Sequence, residues 1–146
     1  MRGRTDVSGC FPTGRHYPGI ADRIADAIQN VEGLCQEFEP GSSWEDIPLV
    51  VVDFETTGRD SQTDRVIEVG LVTFDKGTVS SRESLLVNPG IPVPEESRAV
   101  LGIGDEALAG APDFPAVMPR VLALLKGTLP VACNASCARG FLFAEI

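Results

Sequence analysis

Apolar residues along this chain change their spacing several times, and each spacing predicts a different element. From Ile20 to Phe38, the positions Ile20, Ile24, Ile28, Val31, Cys35 and Phe38 recur at steps of three and four. Polar residues fill the gaps, which predicts an amphipathic helix packing one stripe on the main body. "EPGSSWEDIP" then interrupts the pattern. "LVVVDF" follows as a continuous apolar run, the mark of a strand buried on both faces. "DRVIEVGLVTFD" alternates with period two. Strand geometry puts Val66, Glu68, Gly70 and Val72 on one face and Ile67, Val69, Leu71 and Thr73 on the other. "KGT" is a short turn, and "VSSRESLLVNP" is a third strand, so the second and third strands form a hairpin.

Beyond the proline-rich "GIPVPEE" loop, "EESRAVLGIGDEALAGAP" predicts two short helices separated by a glycine break. "DFPAVMPRVLALLKGT" predicts a longer helix burying Phe114, Val117, Val121, Leu124 and Leu125. Pro115 suits its first turn, whereas Pro119 is less comfortable and favours a kink. "LPVACN" is a fourth strand and "SCARGFLFAEI" begins another helix. The expected class is α/β, a mixed sheet flanked by helices. Residues 1–46 form a flexible arm plus the amphipathic helix, and residues 47–146 form the main domain.

Composition narrows the picture little. A hydrophobic fraction of 43% and a charged fraction of 23% suit an ordinary soluble globular chain. No apolar run approaches the roughly 20 residues that span a bilayer, and the start lacks a signal-peptide core. No membrane association and a cytoplasmic location are therefore expected. The cysteines Cys10, Cys35, Cys133 and Cys137 are too sparse for a disulfide framework and are expected as reduced thiols. The net charge of −9 argues against coating nucleic acid by bulk attraction. It leaves open an enzyme that meets phosphates through bound cations.

The stretch "LVVVDFETTG" carries the candidate chemistry. Alternation puts Asp53 and Glu55 on one face, with Phe54 pointing into the body. Two carboxylates about 5 Å apart repel by roughly 3 kcal/mol at an effective dielectric near 20. A basic residue, a shared proton or a hard divalent cation must offset that. Carboxylate oxygens suit Mg²⁺ and Mn²⁺. The small "TTG" that follows leaves room for a substrate at the carboxyl end of the strand, where open α/β sheets place their sites. Asp60, Asp64 and Glu68 read as solvated loop and strand charges.

"VVDFETTG" followed by "DRVIEVGLV" resembles the first motif of the DEDD family of 3′–5′ exonucleases. That family includes RNase T and the proofreading epsilon subunit of bacterial DNA polymerase III. "NPGIPVPEESRAVLGIGDEALAGAPDF" resembles the family's linker, and "VACNASCARGFL" resembles its second motif. The likeness runs from about residue 47 to residue 146. It implies an RNase H-like fold and cleavage of nucleic-acid 3′ ends by two-metal phosphodiester hydrolysis. Asp53 would bridge both ions, and Glu55 would bind the ion on the nucleophile side. Phe54, Thr56, Thr57 and Gly58 fall in the phrase that meets the terminal nucleotide, and Asn134 would lie near the substrate. The implied partners are a single-stranded 3′ end of DNA or RNA and a DNA polymerase or repair assembly.

Departures from the pattern bear on activity. The second-motif acid falls at Ala138, its phenylalanine at Cys137 and its histidine at Cys133, and the linker histidine is Leu101. After Cys133 no His or Asp occurs, so the third motif is absent from the sequence and the domain reads as its amino-terminal two-thirds. Impaired hydrolysis is expected, with an inactive nucleic-acid-binding or protein-binding relative as the alternative. Apolar surface around Val131, Phe141 and Leu142 would then be left uncovered, and a homodimer would cover it.

Overall fold

The computed structural model describes residues 41–145. The expected arm, the helix at 20–38, His16, Cys10 and Cys35 lie outside the described residues. The linker ends in one 3-10 turn, Trp44–Asp46, after which the main domain begins.

Four strands form one mixed sheet: β1 (Leu49–Thr56), β2 (Val66–Asp75), β3 (Thr78–Leu86) and β4 (Leu129–Val131), in the spatial order β3-β2-β1-β4. β1 pairs antiparallel with β2, β2 antiparallel with β3, and β1 parallel with β4. The β2–β3 hairpin closes through Lys76 and Gly77, both at positive φ (49° and 70°), the two-residue turn that matches strand twist.

The helices lie between β3 and β4 and after β4. They are α1 (Glu95–Leu101), α2 (Asp105–Leu108), α3 (Phe114–Leu125) and α4 (Ala135–Glu145). α1 ends at Gly102, whose φ of 71° is the left-handed stop that glycine allows without strain. Asp113 caps α3 by accepting the Ala116 N–H at 3.1 Å, and the helix continues through Pro119. Its buried residues are Phe114, Val117, Met118, Val121 and Leu125. Leu124, expected among them, is half-buried and packs against the same core.

The main core joins Val50, Val52, Val66, Val69 and Leu71 of the sheet to α3 and to Phe141 of α4. A second cluster gathers Ile67, Val93 and Leu108, with Leu101 and Ile103 against it. Two expectations are corrected here. Val66 does not share the face of Glu68. The register shifts so that Glu55 pairs with Glu68 and Thr56 with Val66, leaving Ile67 as an extra residue. Such a bulge flips the alternation, which sends Val66 into the main core and Ile67 into the second one. Phe141 is not uncovered either: it is 2% exposed, because α4 folds its apolar face back onto the sheet. Val131 does remain 40% exposed, beside Leu129 at the same value on the edge strand.

Candidate active site

β1 carries its core residues and its acids on opposite faces. Val50 and Val52 are buried, and Phe54 packs against the same cluster. Asp53 is exposed and Glu55 half-buried on the other side. Opposite Asp53 stands Gly70, which has no side chain to crowd it, and opposite Glu55 stands Glu68. The strand end thus holds three carboxylates. Ser84 donates to Glu68 Oε1 at 2.5 Å, steadying the third from β3.

Among the described residues the electrostatics are those of neighbouring negative charges. Burial, then the Asp53 charge, then the Glu68 charge hold the Glu55 carboxyl above its usual range. Asp53 Oδ1 accepts the Phe54 N–H at 3.1 Å. Among the described residues the ion pairs join Arg98 to Glu95 and Asp105, and Arg120 to Glu83, so none engages Asp53 or Glu55. Among the described residues no basic side chain pairs with these acids, and the donors suit a hard divalent cation. Their number is small. Among the described residues no group of three or more His, Cys, Asp and Glu side chains is gathered to hold a metal. The chemistry fits one cation held by two carboxylates and completed by other ligands.

The segment after the acids is tightly built. Thr57 is 1% exposed, and its N–H donates to the Arg65 carbonyl at 2.8 Å. Thr56 Oγ1 donates to the Gly58 carbonyl at 2.5 Å. Ser97 of α1 donates to the Thr57 carbonyl at 2.7 Å, joining the linker helix to this loop. β4 runs parallel to β1, so the chain leaving it emerges at the same end of the sheet as the two acids. Asn134 sits there and caps α4: its Oδ1 accepts the Cys137 N–H at 3.1 Å. That leaves its amide nitrogen as the group still able to donate. Cys133 and Cys137 are exposed free thiols. Leu101, at the linker histidine position, packs against the second cluster.

Two residues escaped the sequence reading. Asp64 is no solvated charge, since both of its oxygens hold the loop after β1. It lies inside the phrase "DRVIEVGLV", so its signal was present but its partners were not. Glu145 accepts the Val66 N–H at 2.9 Å, at the bulge. A lone acid in the apolar run "FLFAEI" was its signal.

Comparison with known proteins agrees with this architecture. The exonuclease family RNase_T matches residues 50–145. The DNA polymerase III subunit epsilon of Treponema pallidum is 35% identical over 102 residues, covering 70% of this chain and 47% of that protein. The PolC-type DNA polymerase III of Thermotoga petrophila is 33% identical over 115 residues, covering 79% of this chain and 8% of that protein. The chain thus spans less than half the length of these curated relatives. Among solved structures, exonuclease X in complex with 5′ overhanging duplex DNA superposes with a TM-score of 0.55 at 29% identity. That match covers 64% of this chain and 52% of the other. A product-bound exonuclease I gives 0.59 at 16% identity over 66% of this chain and 24% of that one, a likeness of fold alone. With the mixed sheet, flanking helices and acidic strand end in place, the chain belongs to the RNase_T exonuclease family and has its RNase H-like fold.

Proposed function

We propose that this domain receives the 3′ end of a nucleic-acid strand at the carboxyl end of β1, with Asp53 and Glu55 as its cation ligands. The observation that carries the reading is the acidic pair itself: two carboxylates on one strand face, without a basic partner among the described residues, in an exonuclease-family domain. A bound Mg²⁺ or Mn²⁺ would supply an activated water and charge stabilisation for the leaving 3′ oxygen. The protein's part is to hold the strand end. Thr56 and Gly58 offer groups to the terminal nucleotide, Asn134 offers its amide nitrogen, and Thr57, 1% exposed with its N–H, carbonyl and hydroxyl already bonded within the fold, holds the turn that presents them. Phe54 supports the pair from the core side. A DNA polymerase assembly is the proposed setting, by likeness to the polymerase III relatives.

Hydrolysis by these residues is proposed to be weak. Ala138 occupies the position of the family's second-motif acid, and a methyl group offers no lone pair to a cation. The second reading, a relative that holds a 3′ end or a protein partner without cutting it, draws on the same residue and on the two-carboxylate donor set.

The test uses single-stranded DNA and RNA with a free 3′ hydroxyl, and the same sequences closed into circles, in Mn²⁺. The proposal expects tighter binding of linear strands, lost in Asp53→Ala. It also expects slow shortening from the 3′ end that Ala138→Asp accelerates by about tenfold or more, equivalent to roughly 1.4 kcal/mol of barrier. Binding that ignores the free end, together with no shortening in either protein, would refute it. End-selective binding with no shortening even in Ala138→Asp would select the second reading.

A further inference from the structure

The loop joining β1 to β2 is organised around one side chain. Asp64 Oδ1 accepts the Thr57 hydroxyl at 3.1 Å, and Oδ2 accepts the Asp60 N–H at 2.9 Å. Thr57 Oγ1 in turn accepts the Arg65 N–H at 2.9 Å. The Asp64 N–H donates to the Asp60 carbonyl at 2.7 Å. One carboxylate therefore ties the first residue of the loop, its middle and its last turn together.

Gly58 belongs to this arrangement for a steric reason. A Cβ there would stand 2.4 Å from both Asp64 carboxylate oxygens. Those oxygens already hold two donors, so they cannot swing aside without breaking both bonds. Neighbouring helices fix the loop in turn. Ser97 of α1 binds the Thr57 carbonyl at 2.7 Å, and a Cβ on Gly140 of α4 would lie 3.1 Å from Ser61 Oγ.

The geometry points to Asp64 as the positioning residue for Thr56, Thr57 and Gly58, setting their backbone beside the Asp53–Glu55 pair before a strand end arrives. This inference rests on the reading of that segment as the receiver of a 3′ end. Charge-assisted hydrogen bonds to a carboxylate are stronger than neutral ones, so the loop is ordered in the free protein. The ordering entropy is then spent on folding instead of on binding. Gly58 is small so that Asp64 can close over it, and not only so that substrate can approach.

Linear and circular single-stranded DNA binding in Mn²⁺ tests this, alongside amide hydrogen exchange, for Asp64→Asn, Asp64→Ala, Gly58→Ala and the Gly58→Ala/Asp64→Ala double variant. Asp64→Asn removes the charge from both contacts: its amide oxygen can keep the Asp60 N–H, but its NH2 then faces the Thr57 hydroxyl, which must turn its own proton away while still accepting the Arg65 N–H. Its affinity for the linear strand is expected to fall about tenfold while the circle changes less than about twofold. Exchange should quicken at Thr57, Asp60 and Arg65 but not at Val69 or Leu71. Gly58→Ala should lose the same preference, and the double variant should be no worse than Asp64→Ala, because the two changes damage one contact. Equal losses on linear and circular strands, or losses that add in full, would overturn the inference. A wild-type protein blind to the free end would instead remove the functional reading. Loop exchange then decides the positioning role alone: unchanged exchange in Asp64→Asn overturns it, and selective acceleration upholds it.

Discussion

Replacing Asp53 by asparagine isolates the charge at the centre of the site. The variant keeps the oxygen that accepts the Phe54 N–H at 3.1 Å and changes shape hardly at all. Alternate residues on a strand lie about 6.6 Å apart, and two unit charges about 6 Å apart repel by ~3 kcal/mol at a dielectric of 20 and ~0.7 kcal/mol at 80. Asp53 is exposed and Glu55 half-buried, so the lower part of that range applies, about 1 kcal/mol. Without divalent ions, Asp53→Asn should therefore melt at the same temperature or a few degrees higher. With Mn²⁺ at about ten times its dissociation constant the wild type should gain about 1.4 kcal/mol, and the variant much less. Acid should act in the same direction as the substitution. Glu55 binds its proton more tightly folded than unfolded, so stability rises as pH falls toward its ordinary 4.5 and is lost as pH climbs through the raised value. That acid-side gain should shrink in Asp53→Asn. Thermal melts from pH 4 to 8, with and without Mn²⁺, measure all three effects. A metal-free loss above about 1 kcal/mol, or equal Mn²⁺ responses in both proteins, would show that Asp53 holds the fold and not a cation.

Other consequences follow from the packing. Phe141→Ala empties a site that is 2% exposed between α4 and the sheet, and should cost about 3–5 kcal/mol in urea unfolding. Glu145→Ala strands the buried Val66 N–H and should cost about 1–3 kcal/mol. Glu145→Gln keeps an acceptor and sheds the charge whose burial raises that carboxyl's pKa, so at pH 7 it should be neutral or stabilising. Chemical denaturation of the two variants separates these outcomes. Lys76 holds a positive φ of 49° before Gly77, and Lys76→Asn creates the favoured Asn-Gly hairpin turn. Its melting temperature should rise by a few degrees, as expected for about 0.5–1 kcal/mol.

Much of the domain was legible along the chain because its signals are local. Alternation identified β2, the short turn after it identified β3 as its hairpin partner, the apolar run identified β1, and steps of three and four identified α3. The shared face of Asp53 and Glu55 needs only strand geometry. The bulge at Ile67 was not legible, because both registers satisfy an apolar stretch and the choice depends on what packs beneath each residue. Here α1 and α2 supply a second cluster for Ile67, and Glu145 satisfies the N–H of Val66. Asp64 was misjudged for a related reason. A carboxylate's partners across a loop are invisible until the loop closes.

By itself, then, the sequence determined the order of elements, the α/β class, the acidic pair and the likeness to exonucleases, since each depends on neighbours within a few residues. Tertiary structure alone decided that no arginine or lysine among the described residues reaches the pair, that Phe141 is covered and that Gly58 makes way for Asp64. Those outcomes depend on distances between residues far apart in the chain. Closing the sheet and seating the helices sets such distances, and local pattern carries no information about them.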